Sequence, residues 1–182
     1  MNALMAALVA ALIIQASDRT PWLAARLATP ARPGAVIAAV ILSAILAQAV
    51  AAVAGSLLAP ILTPNARQLF VGLALLSAAF GTFLPIKPIS GEPRGFADSF
   101  IILTAAAMGD RTQFATLAIA AQNDLPVFAA LGAAIGVVVV QVAVVLADAR
   151  PSPSLLRLWR ALAGSVLALA GAWLALAGLR LL

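Results

Sequence analysis

The sequence predicts an all-α, polytopic membrane protein with six transmembrane helices arranged as two inverted three-helix repeats. Three observations predict it. Of 182 residues, 64% are hydrophobic and 9% are charged, against about 45–50% and about 25% in a soluble domain. This excludes a soluble enzyme with a charged, water-facing surface, and also a disordered chain, which needs far less apolar surface. The apolar residues gather into runs of the length, roughly 20 residues, that crosses a bilayer. Finally, a polar tripeptide interrupts the first run in each half: Asp18-Arg19-Thr20 and, half a chain later, Asp110-Arg111-Thr112.

The six runs follow in order. The first extends from about Ala3 to Ala28 and is broken at Gln15-Ala16-Ser17-Asp18-Arg19-Thr20-Pro21. It has neither a charged leader nor a cleavage site, so it is expected to be a retained span, not a signal peptide. The second runs from Gly34 to Leu62 and the third from Gln68 to Leu84. A polar linker, Pro85 to Gly95, carries Lys87, Glu92 and Arg94. The fourth run, Phe96 to Ala121, is broken at Gly109-Asp110-Arg111-Thr112-Gln113; the fifth spans Leu125 to Ala147 and the sixth Leu158 to Leu182. Continuous Ala/Leu-rich runs in lipid must satisfy their own backbone hydrogen bonds, which selects helices over an alternating β-barrel. Residues 1–91 are then the first repeat and 92–182 the second, together one membrane domain. With three spans per half, the second half enters from the opposite face.

Charge gives orientation. Arg26, Arg32, Lys87, Arg94, Arg150, Arg157 and Arg160 follow odd-numbered spans, and only Arg67 and Arg180 lie on the other side. The positive-inside rule places both termini outside, in what is expected to be a bacterial inner membrane. The net charge of +5 comes from basic residues set singly between apolar runs. These suit membrane flanks and not nucleic acid, which is not expected as a partner. Cys, His and Tyr are absent, which removes disulfides, thiolate metal sites and the commonest general base.

A charge at the centre of a spanning helix costs about 2.5–3.5 kcal/mol, so the two interruptions ask for a use. Paired, broken spans in two inverted halves point to a transporter site near the midplane. On that reading Asp18 and Asp110 converge as cation and proton ligands. Gln15, three residues before Asp18, and Gln113, three after Asp110, join Thr20 and Thr112 as supporting oxygens. Such oxygens suit hard cations. Arg19 and Arg111 would tune the carboxylates or gate them. A plainer reading stands beside it: Ser17 to Pro21 has the pattern of a helix N-cap with Pro in the first turn, and the arginines would then form structural salt bridges. Gln48 and Gln141, at nearly matching offsets in the two halves, either line the ion path or hydrogen-bond a neighbouring helix. Gly132-x-x-x-Gly136 is a close-packing motif. Asp124 and Asp148 fall at span ends, and Trp159 and Trp173 suit packing or the membrane boundary.

At these residues the chain resembles the GDT1 family of cation/proton antiporters, which carries Glu-x-Gly-Asp-(Lys/Arg)-(Thr/Ser) once in each half. Met108-Gly109-Asp110-Arg111-Thr112-Gln113 matches the second copy, and Phe114-Ala115-Thr116-Leu117-Ala118 and Leu131-Gly132 extend the likeness. Ser17-Asp18-Arg19-Thr20 matches the first copy more loosely. The motif glutamates would fall at Gln15 and Ala107, and the first motif's glycine is Ser17. The resemblance implies exchange of Mn2+ or Ca2+ for protons, with no enzymatic activity and no resident cofactor. The bilayer, the cation and protons are the expected partners, and a homo-oligomer is compatible with this. With Asp18 and Asp110 as the remaining carboxylates and two arginines nearby, the local charge would be about zero, a poor match for a dehydrated divalent ion. The alternatives are a non-transporting structural or regulatory family member, or a transporter of another ion or small solute.

Overall fold

The computed structural model describes residues 2–18, 20–28, 33–83, 95–147 and 153–180. They form eight helices and no strand: α1 Asn2–Ser17, α2 Thr20–Ala28, α3 Pro33–Leu58, α4 Pro64–Phe83, α5 Phe96–Ala107, α6 Arg111–Gln122, α7 Pro126–Ala147 and α8 Pro153–Gly178. Six apolar runs become eight helices because the first and fourth are each cut at their polar tripeptide. Helices α3, α4, α7 and α8 begin on proline, whose fixed φ suits the first helical turn and whose missing N–H has no acceptor there to lose. The linker residues 85–94, together with Arg19, Arg32, Asp148 and Arg150, lie outside the described residues.

Three helical stretches are long and apolar enough to cross a membrane: Pro33–Leu58, Pro126–Ala147 and Arg157–Gly178. The last two have 22 residues each, which at about 1.5 Å per residue covers the roughly 30 Å hydrocarbon layer. Helices α1 and α2, bent by 65° at their break, qualify together as a fourth; α5 is a shorter apolar helix. The outer surface fits a lipid solvent: Ile45, Val53, Phe80, Leu169 and Trp173 all point outward, a display a water-soluble monomer avoids. The chain is an integral membrane protein.

Packing runs mainly between the halves. Helices α3 and α7 pack on each other; α7 also covers α1 and α2, while α3 covers α5 and α6. Helices α4 and α8 pair with each other and join the bundle through α6 and α1 respectively. Small residues allow these approaches. A Cβ on Gly132 would stand 2.1 Å from the Leu4 carbonyl oxygen, and one on Gly136 2.8 Å from Ala11 Cβ. The Gly132-x-x-x-Gly136 motif is thus the seam along which α7 meets α1. Two apolar clusters result. One gathers Leu23, Leu27, Val36, Val40, Leu103 and Val145, the other Ile14, Ala44, Ala52, Ala118, Ala133 and Val137. Along α3 the border falls between Val40 and Ala44, at mid-helix, where the polar side chains sit.

Candidate functional site

Each break is built from local chemistry. Helix α1 ends at Ser17, whose hydroxyl donates back to the Ile14 carbonyl at 2.8 Å. Helix α2 starts at Thr20, with Pro21 in its first turn, so the first apolar run is interrupted at the polar tripeptide. At the second break α5 stops at Met108, Gly109 takes φ 77°, and extended Asp110 precedes α6. A positive φ is cheap only for glycine. Asp110 occupies the N-cap position, yet its carboxylate makes no capping bond. Gln113, three residues on, does the local work: its Oε1 accepts the Gly109 N–H at 2.6 Å, much as in a capping box. Its Nε2 donates to the Ala47 carbonyl at 3.1 Å. Both ends of the Gln113 amide are therefore used at the break.

The breaks meet. Gln15 Nε2 donates to Asp110 Oδ2 at 3.3 Å and to Thr112 Oγ1 at 3.0 Å. Thr20 Oγ1 lies 2.8 Å from Gln15 Oε1 and 3.1 Å from Asp18 Oδ2. Gln141 Nε2, from α7, donates to Gln15 Oε1 at 3.2 Å. Asp110 also lies close to Asp18. Asp18, Asp110, Gln15, Thr20 and Thr112 thus form one network drawn from both halves. Gln15, Asp18, Thr20 and Thr112 are all buried. Nothing is described for Arg19.

Arg111 crosses the same gap. Its Nη2 pairs with Asp18 Oδ1, and its Nη1 donates to the Ala78 carbonyl of α4 at 3.4 Å. Room for it comes from Gly81, where a Cβ would lie 2.5 Å from Arg111 Cδ and 2.8 Å from Nε. Asp18 therefore has a cationic partner from the opposite half, while Asp110 accepts from the neutral Gln15 amide and lies beside Asp18. No group of three or more His, Cys, Asp or Glu side chains able to hold a metal occurs among the described residues. Any cation here would need amide, hydroxyl or backbone oxygens to complete its shell.

Beside Asp110 lies a narrow cavity lined by Gln15, Ser43, Gln48, Ala107 and Gln141, among others, with room for about one water-sized particle. Ser43 and Gln48 come from the middle of α3. Gln48 Oε1 is buried and has no hydrogen-bond partner among the described residues, a state that costs about 1–3 kcal/mol for a neutral polar group. The matching offsets of Gln48 and Gln141 were the only sequence signal for either. Nothing in the sequence pointed to Ser43 or Gly81, whose roles depend on which helices become neighbours.

Residues 95–181 match the family model described as divalent cation/proton antiporter GDT1. Over these residues the chain is similar to the GDT1 family. No curated protein matches the chain, and no solved structure does. The GDT1 match starts just before α5 and covers α5, α6, α7 and α8, so it includes Asp110, Arg111, Thr112, Gln113 and Gln141. GDT1 proteins are divalent cation/proton antiporters, hence transporters and not enzymes. From the other half, Gln15 and Asp18 reach the matched region through their side chains, and Ala47 and Ala78 through their carbonyls.

Proposed function

We propose that this protein exchanges a divalent cation, such as Mn2+ or Ca2+, for protons through a site shared by its two halves. Asp110 and Asp18 are the cation and proton ligands, and Thr20 and Thr112 lend oxygens. Arg111 holds Asp18, and Arg19 is the matching charge-tuning residue of the first motif. The observation that carries this reading is the hydrogen-bonded network joining two broken helices from opposite halves around a pair of acidic side chains. Neighbouring carboxyl groups hold either a shared proton or a cation, and the two occupancies exclude each other, which couples the flows. Residues 1–91 and 92–182 act as the two inverted repeats, six spans in all. The cross-half packing supports this: α7 lies on α1 and α2, as α3 lies on α5 and α6. Alternating access would follow from rocking one repeat against the other.

The test is reconstitution into proteoliposomes holding a pH-sensitive dye. An inward Mn2+ or Ca2+ gradient should drive proton efflux, and Asp110→Asn should abolish it. Flux indifferent to Asp110→Asn removes Asp110 from the mechanism.

One observation favours a second reading, a family member that no longer transports. Where a motif glutamate would offer an anionic oxygen, Gln15 aims an N–H2 group at Asp110, and Ala107 lines the cavity without any ligand atom. Under this reading the wild-type protein is silent, and Gln15→Glu together with Ala107→Glu creates flux. Wild-type flux equal to that of the double variant ends it.

A further inference from the structure

Resting on the transport reading above, we infer that Gln48 Oε1 is a ligand of the transported cation, which sits between it and the Asp110 carboxylate after shedding most of its water. The argument starts from the donors. Gln15 cannot supply an oxygen, because its Oε1 already accepts from Thr20 and Gln141, and its nitrogen faces Asp110. Gln113 is used at the helix break on both ends. Asp18 is held by Arg111. Among amide oxygens lining the cavity, that of Gln48 is buried, 3% of the residue being exposed, and has no donor among the described residues. Ser43, five residues before it on α3, donates its hydroxyl hydrogen to the Val40 carbonyl at 3.0 Å, which leaves lone pairs on its oxygen.

The size of the space supplies the second strand. A cavity that accepts about one water-sized particle has no room for a hydrated ion, so wall oxygens must replace the lost water. Hard cations take carboxylate and amide carbonyl oxygens in that role. A neutral amide also fits the charge balance. Asp18 is already matched by Arg111, so Asp110 is the carboxylate facing the cavity, and the remaining ligands must come from uncharged oxygen. Gln48 lies on α3 of the first half, outside the matched region, so the ion would be held by both halves at once.

Purified protein in detergent is titrated with Mn2+ and free Mn2+ is followed by its electron paramagnetic resonance signal; Mn2+-driven proton flux in proteoliposomes gives KM and kcat. Gln48→Leu keeps the volume and removes the oxygen; Gln48→Glu replaces the amide by a carboxylate. The expected result is a Kd and KM at least tenfold higher for Gln48→Leu, with kcat less affected, and values at or below wild type for Gln48→Glu. If Gln48→Leu does not fold, Gln48→Glu alone decides through its Kd and through a steeper fall of Mn2+ affinity on acidification. Absence of Mn2+ binding and flux in the wild-type protein overturns this inference together with the transport reading. Wild-type binding and flux that neither substitution changes by more than twofold overturn the assignment of Gln48 alone.

Discussion

At the scale of single residues, the tightest dependence is that of Arg111 on a glycine. Gly81 presents its bare Cα to the Arg111 stem, and a methyl there would meet Cδ at 2.5 Å. The obstructed atoms belong to the far part of a flexible side chain, so Gly81→Ala is relieved by moving Arg111 and not by unfolding α4. Alanine in a helix interior gains about 1 kcal/mol over glycine, which offsets part of the lost ion pair. The expected outcome is a melting temperature in detergent within a few degrees of wild type, with cation-driven flux lowered by about tenfold or more, equivalent to about 1.4 kcal/mol. Full flux in Gly81→Ala would show that the seat of Arg111 on Asp18 is irrelevant to transport. Such a residue is invisible in sequence: glycines occur throughout the chain, and only the tertiary path of Arg111 gives this one a task. Gln113 teaches the same lesson from the other side. Its spacing from Asp110 suggests a shared face, but Asp110 lies outside α6, and the Gln113 amide turns back to the Gly109 N–H.

At the scale of elements, the sequence was far more legible. Every apolar run returned as helix, because lipid leaves a backbone no other way to satisfy its polar groups. The breaks were legible too, since Pro21 and Gly109 punctuate the chain beside charges that the bilayer disfavours. Which helix packs on which was not, apart from the seam announced by Gly132 and Gly136. That seam makes a prediction of its own. In Gly132→Ala the new methyl meets the backbone of Leu4 at 2.1 Å, which no side-chain rotation relieves. Overpacking of this kind costs about 1–3 kcal/mol, so the melting temperature should drop by several degrees. Gly34→Ala, where nothing lies within 4 Å, is the control and should match or exceed wild type. Equal melting temperatures for the two variants would place the α1–α7 contact elsewhere.

At the scale of the whole molecule, orientation is the open quantity, and the distribution of basic residues predicts it. The chain has no cysteine, so single introduced thiols report without background. Thr63→Cys and Asp124→Cys should react with an impermeant maleimide added outside intact cells. Arg26→Cys and Arg157→Cys should react only after the membrane is permeabilised. The reverse pattern would invert the topology, and a mixed one would break the six-span arrangement. The meeting of the two breaks was suggested at this scale before any single contact was: two acidic interruptions half a chain apart already asked for a shared site. The identity of the neutral side chains around them waited on the fold.

The bond from Arg111 to Asp18 joins residues 93 positions apart, and this separation is also an interval of time. A ribosome adding about 5–20 residues per second delivers Asp18 about 5–20 s before the guanidinium that will neutralise it. During that delay the nascent first half must keep its acid protonated, leave it in water, or lodge it beside the insertion machinery. Membrane assembly of this chain is therefore bound to finish by docking one half onto the other, and an orphaned first half would display the defect that membrane quality control recognises.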